Sequence, residues 1–294
     1  MSDIQIALIG YGEVGQTIAS DLRLRGIKAI RAFDILFSDS LSNPSLIANE
    51  RNDVLVCHNL KTALSPADVI ISAVTAAECS AAANAAAALI QPSAFWFDLN
   101  SVAPATKIDT AAVIEQAGAR YVEAAIMSPI ATKRIASPIL LGGQHATAFA
   151  PVAARLGFTG IEVFSEALGS ASAAKMCRSV MVKGIEALLT ESLLAARHYG
   201  VESTVLASLR DLFPSEDWPR VSQYMISRSL QHGRRRAEEM REVARTVADA
   251  GLDAWMSLAC AERQDWAANH GAARHTGALE SMLDTVLAAR EKRA

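Results

Sequence analysis

The chain has 294 residues, 51% of them hydrophobic and 20% charged, with a formal net charge of −3. That length allows one large or two ordinary domains with a real core. The composition excludes a disordered chain, and the slight acidity excludes a general attraction to nucleic acid or an anionic membrane.

The first predicted element is a short apolar run, Ile4–Ile9, of the kind that forms a buried parallel strand. It ends in Gly10-Tyr11-Gly12-Glu13-Val14-Gly15, and Gln16–Arg25 then reads as a helix. Strand, G-x-G-x-x-G and helix in that order form a dinucleotide loop. Gly10 permits the tight turn, Gly12 lets backbone approach a pyrophosphate, and Gly15 lets the helix pack on the strand. The loop, Tyr11, Glu13 and Val14 included, would then offer its amides and the helix dipole to the phosphates. A second predicted strand, Ala29–Phe33, ends in Asp34, 19 residues after Gly15, where an acid can accept hydrogen bonds from an adenosine ribose. A carboxylate there favours NAD(H), while Lys28 and Arg31 nearby leave NADP(H) open.

Strands and helices go on alternating. Strands are predicted at 54–57 and 69–74, a helix from Thr75 to about Ile90, and a strand at Phe95–Asp98. Pro104 opens a helix to about Gln116 that Gly118 ends. Strands at 120–126, 139–142 and 161–164 and a helix at 146–156 complete the pattern of a doubly wound, mostly parallel sheet, a Rossmann domain. Ligands of such sheets lie beyond the carboxyl ends of the strands, which puts Val74-Thr75, Asn100-Ser101 and Met127-Ser128 on one rim with the glycine loop.

From Glu166 onward the strands stop. Helical periodicity runs from Gly169 to His198, and further helices are predicted at 203–212, 218–232, 234–250, 254–268 and 276–292. Gly200, Phe213-Pro214-Ser215, Gly233, Gly251 and Gly271 are the expected breaks. The expected domains are therefore residues 1–165, which bind dinucleotide, and residues 166–294, all helical, entered through a long interdomain helix. The apolar stretch Ala81–Ile90 is too short to span a bilayer, and with the first strand starting at Ile4 no signal peptide is expected. Cys57, Cys79, Cys177 and Cys260 have no metal-type spacing, nor do His58, His145, His198, His270 and His275. No metal is expected, and the location expected is the cytoplasm.

The order of glycine loop, Asp98-Leu-Asn-Ser101, a serine-bearing loop and Gly169-Ser-Ala-Ser-Ala-Ala-Lys175 resembles the β-hydroxyacid dehydrogenase family over nearly the whole chain. That family includes 3-hydroxyisobutyrate and 6-phosphogluconate dehydrogenases. The text from Lys175-Met-Cys-Arg-Ser-Val-Met-Val-Lys-Gly184 through Arg235-Arg-Ala-Glu-Glu-Met240 is similar to a phosphogluconate dehydrogenase-like branch. The resemblance implies that Val74, Thr75 and Ser101 line the nicotinamide and its ribose, that Lys175 is the catalytic lysine, and that Ser128 belongs to the substrate loop. It also implies a homodimer formed through the helical domain. Chemistry points to Lys175 as well, because oxidation of a carbinol releases a proton that needs an acceptor, and an apolar setting moves a lysine pKa toward neutrality.

Two positions depart from the family pattern. Ser128-Pro129-Ile130 stands where the family has Ser-Gly-Gly, and Pro129 has no N–H to give a carboxylate. Ser179, one turn beyond Lys175, stands where the family has asparagine. The basic cluster His232-Gly-Arg234-Arg235-Arg236 is the candidate replacement anion site, with Arg235 as a carboxylate partner and His232 as an aid to proton transfer near neutral pH. The expected activity is hydride transfer between a nicotinamide and the CH–OH or C=O group of a small hydroxy or oxo acid. The alternatives are an imine- or pyrroline-type reductase and a non-catalytic nucleotide sensor.

Overall fold

The structure, a computed structural model, describes residues 4–65, 67–212, 214 and 217–291. It divides into two compact units, Met1–Met176 and Cys177–Ala294.

The first unit holds one eight-stranded sheet. In chain order its elements are β1 (Ile6–Ile9), α1 (Glu13–Leu24), β2 (Ile30–Phe33), a 3₁₀ turn (Ile35–Ser38), α2 (Asn43–Arg51), β3 (Leu55–Val56) and α3 (Leu60–Leu64). Then come β4 (Val69–Ser72), α4 (Cys79–Ala87), β5 (Phe95–Asp98), α5 (Pro104–Gln116) and β6 (Arg120–Ile126). The last part is α6 (Ile130–Lys133), a 3₁₀ turn (Arg134–Ala136), β7 (Ile139–Gly142), α7 (Ala146–Leu156) and β8 (Ile161–Ser165). The strand order is β3-β2-β1-β4-β5-β6-β7-β8. Every neighbouring pair is parallel except β6 and β7, which are antiparallel.

The central strands read as unbroken apolar runs because helices cover both faces. Alternate residues feed two separate layers. Ile6, Leu8, Ile71, Phe95 and Phe97 join Phe149 and Phe158 on one side. Ala7, Ile9, Ile70, Trp96 and Tyr121 join Ala83, Ala86 and Ile114 on the other. The register pairs Ile9 with Ser72, Ser72 with Asp98 and Asp98 with Glu123, so the ends of β1, β4 and β5 share one edge and β6 runs three residues past it.

Six short elements escape the sequence pattern: the turn Ile35–Ser38, α2, α3, α6 and the turns Arg134–Ala136 and Gly271–His275. Caps more than amphipathicity make the first three. Asp34 accepts from the Leu36 amide, Ser42 from Ser45 and Asn59 from Thr62. The alanine-rich helix starts at Cys79, four residues later than expected from sequence.

The helix α8 (Ser170–His198) begins in the first unit and runs into the second. It is followed by α9 (Glu202–Leu212), α10 (Trp218–Asp249), α11 (Trp255–Ala268), a 3₁₀ turn (Gly271–His275) and α12 (Leu279–Glu291). Leu193, Ile226, Leu230, Met282, Leu283 and Val286 form the core of this unit. The expected break at Phe213-Pro214-Ser215 and the expected helix end at Lys292 fall largely outside the described residues.

The break expected at Gly233 does not exist. The two helices predicted on either side of it are the single helix α10. A Cβ on Gly233 would lie 2.3 Å from the Gln264 carbonyl oxygen and 2.9 Å from the Ala268 Cβ. Its glycine serves the close approach of α10 and α11, not a turn. Among the described residues no helix is long and apolar enough to cross a membrane.

Candidate functional site

The glycine loop joins β1 to α1. Gly10 has φ +91°, and a Cβ there would sit 2.5 Å from the Ala73 carbonyl oxygen. A Cβ on Gly15 would sit 2.2 Å from the Gly10 oxygen. The fold itself therefore requires both glycines. Gly12 differs: its φ is −79°, and a Cβ would meet no atom within 4 Å. Nothing among the described residues explains the missing side chain, and the open space lies at the amino end of α1, where Gly12 is the cap residue. A pyrophosphate fits that cradle and the dipole behind it. Glu13 and Val14 form the first turn of α1.

Asp34 directly follows β2 and is fixed by two amides: Tyr11 N–H donates to Oδ2 at 2.7 Å and Leu36 N–H to Oδ1 at 2.9 Å. The carboxylate is thereby held beside the loop, in the position a ribose acceptor needs. The Tyr11 side chain turns the other way, fully buried, with its hydroxyl donating to Asp53 and its ring against Phe37. Tyr11 therefore meets the loop through its backbone alone.

On the rim, Asn100 is a pin that the motif reading left without a role. Its Oδ1 accepts from Val74 N–H at 2.8 Å, and its Nδ2 donates to Ser72 Oγ at 2.9 Å, joining the ends of β4 and β5. Thr75 is exposed beside them. Below lies a buried polar network. Asp98 pairs with Lys107 at 2.9 Å and accepts from the Tyr121 hydroxyl at 2.6 Å. Burial, with the Asp98 charge beside it, pushes the Cys79 thiol up to about 12. On the next strand, Glu123 is buried, and burial raises its pKa against the opposing pull of Lys107.

Ser101 and Ser128 follow β5 and β6. The Oγ atoms of both are shielded from solvent and have no hydrogen-bond partner among the described residues. A buried hydroxyl without a partner is costly, and each would be satisfied by a ligand at this rim. Ser128 precedes Pro129, which caps α6 with no side-chain hydrogen bond. The segment beyond is tied back to α1, where Arg134 Nε donates to Asp21 Oδ1 at 2.7 Å and Ile135 N–H to Oδ2 at 3.2 Å.

Lys175 lies in the second turn of α8, half-buried, behind Gly169 and the small residues Ser170–Ala174. Ser179 follows one turn further along and is buried. In the second unit the basic cluster is spread over α10 and consumed by partners. Arg234 donates to Asp265 at 3.1 Å and Asn269 at 2.8 Å, Arg235 to Glu239 at 3.0 Å, and buried Arg236 to Glu186.

The expectation that His232 moves protons near neutral pH is corrected. Burial and the charges of Arg228, Arg235 and Arg236 push its pKa down to about 4. Arg228 Nη1 lies 2.8 Å from Nε2. A guanidinium can only donate, so the imidazole accepts there and is neutral.

Comparison with known proteins agrees with this geometry. Residues 5–165 match the family described as the NAD binding domain of 6-phosphogluconate dehydrogenase, and residues 196–267 match one described as a domain of unknown function (DUF1932). A conserved hypothetical protein from Sinorhizobium meliloti is 35% identical, with 97% of this chain and 96% of that one covered, at a TM-score of 0.71. A conserved protein of unknown function, described as structurally similar to 3-hydroxyacid dehydrogenases, is 32% identical, with 90% and 97% covered, at a TM-score of 0.67. The Mycobacterium tuberculosis 3-hydroxyisobutyrate dehydrogenase shares the fold, with 17% identity, 97% and 99% coverage and a TM-score of 0.70. Matched over more than half its length by that cofactor-domain family, and over nearly all of it by these relatives, the chain belongs to the β-hydroxyacid dehydrogenase family of NAD(P)-dependent oxidoreductases.

Proposed function

We propose that the protein interconverts a CH–OH and a C=O group in a small acidic metabolite, with Lys175 as general acid and base. The observation that carries this reading is the pair of shielded, unpartnered hydroxyls, Ser101 and Ser128, on the rim that also holds the open cradle at Gly12. Gly10, Gly12 and Gly15 with the first turn of α1 would hold the pyrophosphate, Asp34 the adenosine ribose, and Val74, Thr75 and Ser101 the nicotinamide end. The bound nicotinamide supplies the acceptor or donor of hydride. The chain's own residues do the rest.

In oxidation the neutral amine of Lys175 takes the hydroxyl proton as the carbonyl forms, and in reduction its ammonium returns that proton to the oxygen. Ser128 Oγ, and Ser179 Oγ one turn along α8, would donate to the reacting oxygen and orient it. NAD(H) is the favoured cofactor, because Asp34 is held in place by two amides and would repel a 2′-phosphate. A cytoplasmic homodimer joined through the helical unit completes the reading, and light scattering that returns the monomer mass would remove the dimer.

The test is a panel of 2- and 3-hydroxy acids with NAD or NADP, and of oxo acids and cyclic imines with the reduced cofactors. Absorbance of the reduced nicotinamide is the signal. A hydroxy or oxo acid should turn over, and Lys175→Ala should lower kcat by roughly 10²–10⁴-fold, the range of general acid–base catalysis. Turnover surviving within a few-fold would refute the role of Lys175. Turnover of imines alone would refute the substrate class.

A further inference from the structure

Helix α8 carries Lys175 in its second turn, and its first turn is tied to the sheet unit twice: Ser172 Oγ donates to the Val102 carbonyl, and one buried acid takes two backbone amides. Glu123 on β6 is fully buried. Its Oε2 accepts from Gly169 N–H at 2.7 Å and its Oε1 from Ser172 N–H at 2.6 Å. Both carboxylate oxygens thus face amides at the amino end of α8, three and six residues before the amine. Two further features show that the sheet is built to admit this side chain. A Cβ on Gly142, the cross-strand partner of Glu123, would lie 2.5 Å from Glu123 Oε2, so a side chain there would displace the carboxylate from its present place. Gly169 has φ +88°, a left-handed conformation that turns its amide into the cap.

Stability alone does not call for a charge here. Glu123 sits beside a second buried carboxylate, Asp98, its register partner on β5, and Lys107 is the cation that Asp98 already takes. Two buried acids next to one lysine are expensive unless each acid has further donors. For Glu123 those donors are the α8 amides, so this carboxylate ties the backbone of the first turn of α8 to β6, beside the Ser172 hydroxyl bond to Val102. A side chain one turn into a helix moves with that turn.

We propose that Glu123 is the positioning residue for Lys175: by capping α8 from the sheet, it fixes the amine relative to the strand ends that carry Ser101 and Ser128. This rests on the catalytic reading of Lys175 given above, and the test separates the two. Glu123→Gln keeps the size but turns one acceptor into a donor facing an amide N–H. Amide exchange over residues 169–176, measured by mass spectrometry, should rise about tenfold, while the Kd for NADH stays within about threefold. With 3-hydroxyisobutyrate, or the panel compound that does turn over, kcat should fall about tenfold with KM little changed. In the Lys175→Ala background the same substitution should change kcat less than about twofold, because its effect acts through the amine. Glu123→Asp, which keeps the charge with a shorter reach, should fall between wild type and Gln, and it decides the matter should Gln not fold.

Unchanged exchange over 169–176 would overturn the cap, with or without a substrate in hand. A loss of NADH affinity as large as the loss of turnover, or full additivity with Lys175→Ala, would reduce Glu123 to a structural residue. If Lys175→Ala alone retains turnover, the catalytic reading fails, and the exchange result still judges the cap.

Discussion

At the scale of single residues, the three glycines of the loop separate folding from binding. Alanine at Gly15 would drive its Cβ to 2.2 Å from a backbone oxygen that has little freedom to move. Overpacking of that kind costs about 1–3 kcal/mol or more. Alanine at Gly12 meets open space at an ordinary φ, and its cost is that of a poorer N-cap, about 1 kcal/mol at most. Gly12→Ala should therefore keep its melting temperature within a few degrees and still lose NADH affinity tenfold or more, measured by fluorescence titration. Equal losses of stability in Gly12→Ala and Gly15→Ala would show that no ligand is needed to explain Gly12. His232 yields a second expectation. Its folded pKa, about 4, lies below the unfolded value near 6.5, so the unfolded state gains a proton first as pH falls. The contribution is complete above about pH 6.5 and is lost on going down toward pH 4. His232→Gln, which can still accept from Arg228, should show a shallower loss of urea stability than wild type between pH 7 and 5. Parallel curves for the two proteins would mean that His232 titrates normally.

At the scale of elements, the sequence revealed the sheet more faithfully than the helices. Buried parallel strands are continuous apolar runs, and β5, β6 and β7 have the bounds that their sequence predicts. The Asp34, Ser101 and Ser128 positions were readable because topology alone assigns residues after parallel strands to one edge. The Glu123 cap was not readable: a glutamate inside an apolar strand carries no local signal that its partners lie 46 and 49 residues later. Gly233 misled for a related reason. A glycine between two amphipathic stretches marks a helix end or a close contact, and only the neighbouring helix decides. Intrinsic propensity says that Gly233→Ala in the middle of α10 gains about 1 kcal/mol. Packing says the reverse, since the Cβ would lie 2.3 Å from a backbone oxygen of α11 and 2.9 Å from its Ala268. Backbone cannot yield as a side chain can, so packing wins. Gly233→Ala should lower stability by about 1–3 kcal/mol in urea unfolding. A gain would mean that α10 and α11 stand further apart than described.

At the scale of the whole molecule, α8 decides where the chain can be divided. The sheet ends at Ser165, which the strand pattern alone makes a natural boundary. The first compact unit nevertheless continues to Met176, through the first two turns of α8. Those turns are tied to the first unit by the Glu123 carboxylate, whose two amide donors both lie beyond Ser165, and by the Ser172 hydroxyl bond to the Val102 carbonyl. A fragment ending at Ser165 strands that acid, a raised-pKa group beside Asp98, with water as its replacement partner. The loss of two hydrogen bonds to a charged group, offset in part by the solvent then admitted, amounts to about 1–3 kcal/mol. That is a sizeable part of the stability of a domain. A fragment ending at His198 keeps the donors and the whole helix, though it exposes the apolar side that Leu189 and Leu193 lend to the second unit. With those two leucines changed to glutamine for solubility, the longer fragment should melt several degrees above the shorter one and bind NADH more tightly. If the fragment ending at Ser165 is as stable and binds NADH as well, α8 contributes nothing to the cofactor unit, and the division belongs at the end of the sheet.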